Sequence, residues 1–148
     1  ADLGALVKRH LQIYAPAGGK RVNVSGPTIM LGSLAAQNVG MAIHELADNA
    51  VKFGAWSVPA GRVDVAWRRY PDPSGAERLE LLWRESGGPV ATPPIRSEFG
   101  RRVCEEMVGY ALSAQAAISF ESGALVWRLD APCSEIDFNP PLLERAKC

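Results

Sequence analysis

The sequence predicts an α+β fold, a two-layer α/β sandwich in which a mixed, mostly antiparallel sheet of about five strands is covered on one face by three helices. Three observations carry that prediction. Two pairs of segments, 62–68 with 77–85 and 117–121 with 124–130, look like hairpin strands, the first pair with clean period-two alternation, each pair joined by a turn. Three segments, 2–14, 33–53 and 99–113, carry apolar residues at helical spacing. The order is helix, two short strands, long helix, hairpin, glycine turn, helix, hairpin, which lacks the strand–helix alternation of a doubly wound sheet.

Each element has a local reason. In 2–14, Leu3, Leu6, Val7 and Leu11 share one side, Asp2 is placed to cap the start, and Pro16 with Gly18–Gly19 stops the helix. His10, beside Lys8 and Arg9, reads as a surface residue. Segment 20–25 alternates around Val22 and Val24 as an edge strand, Gly26–Pro27 turns, and 28–31 is a second short β-like piece. Ser33 opens the long central helix, expected to run to about Phe53, with Val39, Ile43, Leu46, Ala50 and Phe53 as its apolar stripe. Gly54 stands where a C-terminal glycine ends a helix. In the central hairpin Val63, Val65 and Trp67 point one way, as do Leu79, Leu81 and Trp83, across a polar connection at 70–75. A glycine turn, 86–89, follows directly on Glu85, and 91–94 is a short extended link. The third helix buries Val103, Met107, Val108 and Leu112, and the last hairpin turns at Ser122–Gly123. Pro132 is expected to end the regular structure, dividing a domain at 1–132 from a tail at 133–148 of unknown role.

Composition narrows the function classes. At 148 residues the chain suits one domain. Sixteen basic residues balance sixteen acidic ones, so no net field favours nucleic acid or an anionic membrane, and neither is expected as a partner. Cys104, Cys133 and Cys148 form neither a zinc pattern nor a disulfide framework, which points to a reducing cytoplasm. No apolar run approaches a membrane span. The first residue is Ala rather than Met, so a piece of a longer protein is expected. There is no G-x-G-x-x-G and no G-x-x-x-x-G-K-[ST], and the two histidines, His10 and His44, offer little for a metal site.

The chemistry concentrates on the central helix. Glu45, Asn49 and Lys52 fall at i, i+4 and i+7, on a line roughly 110° from the apolar stripe at about 100° per residue. A carboxylate can orient a proton or a water, an amide oxygen can ligate magnesium, and an ammonium can meet a phosphate as a point charge. The same residues also suit a solvated helix face. The turn after Glu85 and the helix start at 98–102, where Gly100 leaves amide groups free to face an anion, add to the first reading.

With these residues in hand, 44–57, HELADNAVKFGAWS, resembles the N box of the HWE group of sensor histidine kinases. Segment 83–89, WRESGGP, resembles that group's W-x-E motif running into its first glycine box, and 96–103 occupies the place of the second. The likeness covers about 1–132. It implies the ATP-binding catalytic domain of a two-component sensor histidine kinase, with the fold shared by gyrase, Hsp90, kinase and MutL proteins (GHKL, or Bergerat). On this resemblance Glu45 serves phosphoryl transfer, Asn49 holds Mg2+, Lys52 approaches phosphate, and Glu85 recognises the adenine amino group. Gly87 and Gly88 admit the nucleotide, and Phe99, Gly100 and Arg101 of the second glycine box complete its binding site. The cofactors implied are ATP and Mg2+. The partners implied are the dimerisation and phosphoacceptor domain of the same kinase and, indirectly, a response regulator receiver domain, with no direct membrane contact. His44 is expected to have a hydrogen-bonding role rather than to be the phosphorylated histidine, and the segment between the glycine boxes implies a small lid. Two alternatives stay open. Glu98, where the family usually has glycine, suits a nucleotide-degenerate, pseudokinase-like interaction module of the same fold. A protein-serine kinase of the anti-sigma type shares the fold but lacks the Trp83–Glu85 signature.

Overall fold

Alternate residues of the central strands face one way and are buried, which gives the sheet one apolar side. The computed structural model describes residues 1–14, 21–89, 98–121 and 123–136. Among them five strands, β1 (Val22–Ser25), β2 (Arg62–Pro71), β3 (Glu77–Ser86), β4 (Gln115–Glu121) and β5 (Ala124–Pro132), form one sheet in the order β1-β2-β3-β5-β4. β1 runs parallel to β2, and the other neighbours are antiparallel. The predicted mixed, mostly antiparallel sheet is therefore present.

The helices cover the apolar side. α1 (Leu3–Tyr14) packs on α2 (Ser33–Lys52) through Leu3, Leu6, Val7 and Leu11. Asp2 caps α1 as expected, its Oδ2 accepting from the Ala5 N–H at 2.9 Å. A third helical run is made of α3 (Glu98–Arg101), a π-helical segment Arg102–Met107 and α4 (Val108–Ala111). The opposite sheet face carries an ion-pair ladder: Arg68 and Arg128 reach the two oxygens of Glu80, at 3.0 and 3.4 Å, and Arg78 reaches Asp130 at 2.6 Å.

Register orders the core into rungs. Val65, Trp83 and Trp127 lie side by side across β2, β3 and β5, and the next rung is Val63, Glu85, Leu125 and Phe120. The tryptophan rung is sealed: Trp127 Nε1–H donates to the Cys104 carbonyl at 2.8 Å, and Trp56 meets Trp83 edge-on, ring centres 5.8 Å apart.

Several expectations change. Segment 28–31 is not a strand; Met30 makes an isolated bridge with Asp2, because the Ile29 carbonyl and Leu31 N–H are taken by residues 1–3. The third helix spans 98–111 rather than 99–113, and its π turn moves the buried position after Val103 from i+4 to i+5, the Val108 N–H bonding the Val103 carbonyl. Val108 and Leu112 are buried and Met107 is exposed for that reason. Phe53 is also exposed, since it lies past the last helical residue. Regular structure continues beyond Pro132 into α5 (Cys133–Ile136), where Cys133 and Ile136 join the core and the Ile136 carbonyl accepts from the Gly32 N–H at 3.0 Å. Cys133 is disulfide-bonded, against the expectation from the cysteine count. The link at 91–94, the stops at Pro16 and Gly18–Gly19, Ser122 and the tail from 137 lie outside the described residues.

Candidate functional site

The row of buried residues on β3 runs Leu79, Leu81, Trp83 and then Glu85, so the strand continues its apolar face with an acid. Glu85 is only 5% exposed, a position where a carboxylate is costly unless hydrogen-bonded. Both oxygens are held. The Ala55 N–H donates to Oε1 at 2.9 Å, and Trp83 Nε1–H donates to Oε2 at 2.9 Å. The Trp-x-Glu spacing explains the second bond, because residues i and i+2 share a strand face. Burial pushes the Glu85 carboxyl above its usual range, and the Ala55 and Trp83 donors pull it partly back.

Gly54 makes room for this arrangement. A Cβ there would overlap Glu85 Oε1 and come within 3.0 Å of the Ala50 Cα. Its φ of −108° is not left-handed, so Gly54 is not the helix-ending glycine the sequence suggests. α2 instead ends at Phe53, and the Gly54 N–H bonds the Asn49 and Ala50 carbonyls. A 3-10 turn, Ala55–Ser57, follows.

A cleft lies over the Glu85 rung. It is lined by Asn49 from α2, Gly54 and Ala55, Glu85, Ser86, Gly88 and Pro89 from the glycine turn, and Phe120, Gly123 and Leu125 from the last hairpin. Its cavity volume is about 20 Å³, room for about one water. Asn49 is 6% exposed and lines this cleft.

The predicted residues separate into groups. Asn49, Glu85 and Gly88 are brought together. Gly87, at φ +74°, forms the turn, and a side chain there would strike the Ala60 carbonyl, so it fixes the loop rather than lining the cleft. Glu45 faces a separate groove between α1 and α2, with His10, Gln37, Met41 and His44. Lys52 is exposed and pairs with Asp48 at 3.0 Å. Phe99 and Arg101 are exposed at the start of α3, Gly100 is buried there, and none of them lines the cleft. The Glu45–Asn49–Lys52 line spreads because successive helix steps place Asn49 next to the core stripe and the other two farther out. His44 takes the expected hydrogen-bonding role: Tyr14 Oη lies 2.8 Å from its Nδ1. Sequence reasoning missed Trp83 as a donor, the Ala55 N–H, and the Phe120–Leu125 rim. The period-two spacing of Trp83 and Glu85 was the available signal for the first.

No family model matches this chain. It is 42% identical over 87 residues to blue-light-activated histidine kinase 1 of Erythrobacter litoralis, covering 59% of this chain and 23% of that one. It is 31% identical over 112 residues to the blue-light-activated histidine kinase of Brucella ovis, covering 76% of this chain and 23% of that one. The curated relatives that this chain matches are histidine kinases. The chain spans about a quarter, 23%, of the length of these relatives. Among solved structures, the Erythrobacter litoralis EL346 blue-light activated histidine kinase superposes with a TM-score of 0.65 at 20% identity, covering 90% of this chain and 41% of that one. The catalytic domain of histidine kinase ThkA superposes with a TM-score of 0.62 at 11% identity, covering 89% and 94%. The fold is thus that of histidine kinase catalytic domains, and no helix among the described residues is long and apolar enough to cross a membrane.

Proposed function

We propose that this chain, over 1–132 and with α5 packed into the same core, is the ATP-binding catalytic domain of a two-component sensor histidine kinase. Its parent protein would pass the ATP γ-phosphate to a histidine on a dimerisation domain, and a response regulator receiver domain would take it from there. The observation that carries the reading is a buried carboxylate, Glu85, held by two N–H donors at the floor of a cleft that also holds the Asn49 amide.

The donor set fits the ligand. An ionised carboxylate has about four lone-pair sites. Two of those on Glu85 are occupied, leaving acceptor capacity for an amino group such as that of adenine and no donor for a carbonyl. Asn49 supplies the amide oxygen of a magnesium site; no cluster of three acidic, histidine or cysteine side chains exists among the described residues, consistent with a metal held mainly by phosphate and water. Magnesium, when bound, neutralises phosphate charge. Glu45, on the groove side of α2, orients the acceptor, and Lys52, released from Asp48, meets phosphate. The glycine-box residues Phe99, Gly100 and Arg101 stand at the start of α3 to close on the phosphates.

Titration with a non-hydrolysable ATP analogue and magnesium tests this. Wild type binds; Asn49→Ala loses most magnesium-dependent affinity; Glu85→Ala loses the preference for adenine. Equal binding by all three refutes the assignment. The interaction-module reading keeps one observation on its side, the exposed Glu98 at the first residue of α3; it predicts no binding in wild type and recovery in Glu98→Gly.

A further inference from the structure

Arg21 precedes β1 and is half-buried, yet it pairs with no carboxylate among the described residues. Its guanidinium is spent on main-chain carbonyls instead. Nη2 donates to the Ala55 carbonyl at 3.1 Å and to the Val58 carbonyl at 2.5 Å, and Nε donates to the Gly61 carbonyl at 3.1 Å. The Arg21 carbonyl in turn accepts from Trp56 Nε1–H at 3.3 Å and from the Val63 N–H at 2.9 Å. One residue therefore ties the whole 55–61 loop to the sheet.

That loop has only the short 3-10 turn Ala55–Ser57 and no strand ladder of its own, and it carries the group that aims Glu85. Ala55 is held at both ends: its N–H by Glu85 Oε1 and its carbonyl by Arg21. Its Cα also backs Gly88, where a side chain would collide with it. The next residue, Trp56, rests on Trp83, the second donor to Glu85. A fork of planar donors suits this task, since a lysine ammonium cannot reach three diverging carbonyls at once.

We propose that Arg21 is a positioning residue for recognition of the nucleotide base: by clamping the 55–61 loop it fixes the Ala55 N–H, and so the direction in which Glu85 presents its carboxylate to the cleft. The inference rests on the adenine-reading role given to Glu85 above.

The experiment compares binding of a non-hydrolysable ATP analogue with its inosine counterpart, in wild type, Arg21→Met, Arg21→Lys and the double variant Arg21→Met/Glu85→Gln. The Glu85 carboxyl is titrated alongside by NMR in the first three. Both Arg21 variants are expected to lower the adenine-over-inosine preference, Arg21→Met by about tenfold, the worth of one hydrogen bond. Both should shift the Glu85 titration upward, because a donor to its charged form is loosened. In the Glu85→Gln background Arg21→Met should change the preference no further. If Arg21→Met does not fold, Arg21→Lys carries the same comparison. A preference and a Glu85 titration that both survive in the Arg21 variants overturn this inference alone, as does equal weakening of both analogues with the titration unmoved. A wild type that binds both analogues equally refutes the adenine reading and takes this inference with it.

Discussion

Gly54→Ala separates three accounts of one glycine. If Gly54 were a left-handed helix terminator, alanine would cost about 1 kcal/mol in backbone strain. If it were merely a flexible residue with an ordinary φ, and its φ is −108°, alanine would stabilise by about 0.4–1 kcal/mol through the unfolded chain. The structure supports neither. The new methyl overlaps Glu85 Oε1 and sits 3.0 Å from the Ala50 Cα. Either the carboxylate leaves, losing a charge-assisted bond from Ala55 worth about 1.5–3 kcal/mol, or the helix end shifts, at an overpacking cost of about 1–3 kcal/mol. After the unfolded-state gain, a net loss of about 0.5–2.5 kcal/mol is expected. Urea unfolding measures it. Gly75→Ala is the control, with φ +88° and nothing within 4 Å of the added methyl, so only its backbone strain is felt. A Gly54→Ala chain as stable as wild type, with its adenine preference intact, would falsify the account of Glu85 as a carboxylate held against a bare backbone.

Other expectations follow from the same contacts. Because burial raises the Glu85 carboxyl above its ordinary 4.5, its contribution to stability is fully present below about pH 4.5 and is lost as pH rises through the folded value. Wild type should therefore gain on Glu85→Gln between pH 7 and pH 4, measured as the difference in urea midpoints at each pH. Trp83→Phe removes the indole donor at 2.9 Å and should destabilise by about 2–4 kcal/mol while moving the Glu85 titration further up; an unmoved titration contradicts the Trp–Glu bond. Cys104 is buried, with its thiol pushed far up by desolvation and by the nearby Glu45 and Glu105 charges. It should resist alkylation in the native chain and react on unfolding, read by mass spectrometry of its peptide. His44→Gln loses the exposed bond to Tyr14 and the edge-on ring contact with it, and should change stability by less than about 1 kcal/mol with nucleotide binding unchanged.

The sheet and α2 were legible because their burial is periodic: Val63, Val65 and Trp67, then Leu79, Leu81 and Trp83, and the stripe Val39, Ile43, Leu46 and Ala50. The π turn was not, since a one-residue insertion changes which of Met107 and Val108 is buried without disturbing composition. The short run 28–31 alternates like a strand, but its partner is the chain's first residues, a tertiary fact no local pattern contains. The site was half legible. Asn49, Glu85 and Gly88 meet because α2 ends over β3. Glu45 and Lys52, read from one helical line, face elsewhere, since a line on a wheel fixes direction from the axis and not what stands opposite.

The placement of Glu85 explains why this end of the sheet carries the candidate site. Along β3 each core position is apolar until the rung of Val63 and Leu125, where the side chain becomes an acid. An acid one residue earlier or later in the strand would point to the opposite, ion-paired face and be solvated. At its actual position it is too deep for water to stabilise it, so the chain supplies Trp83 from its own strand and Ala55 from the end of α2. Those two donors fix where the remaining lone pairs can point, and the glycines at 54 and 88 let the main chain pack close against Glu85 and Ala55. The proposed recognition surface is thus a consequence of stabilising one misplaced charge: each group that makes the buried carboxylate tolerable also aims it.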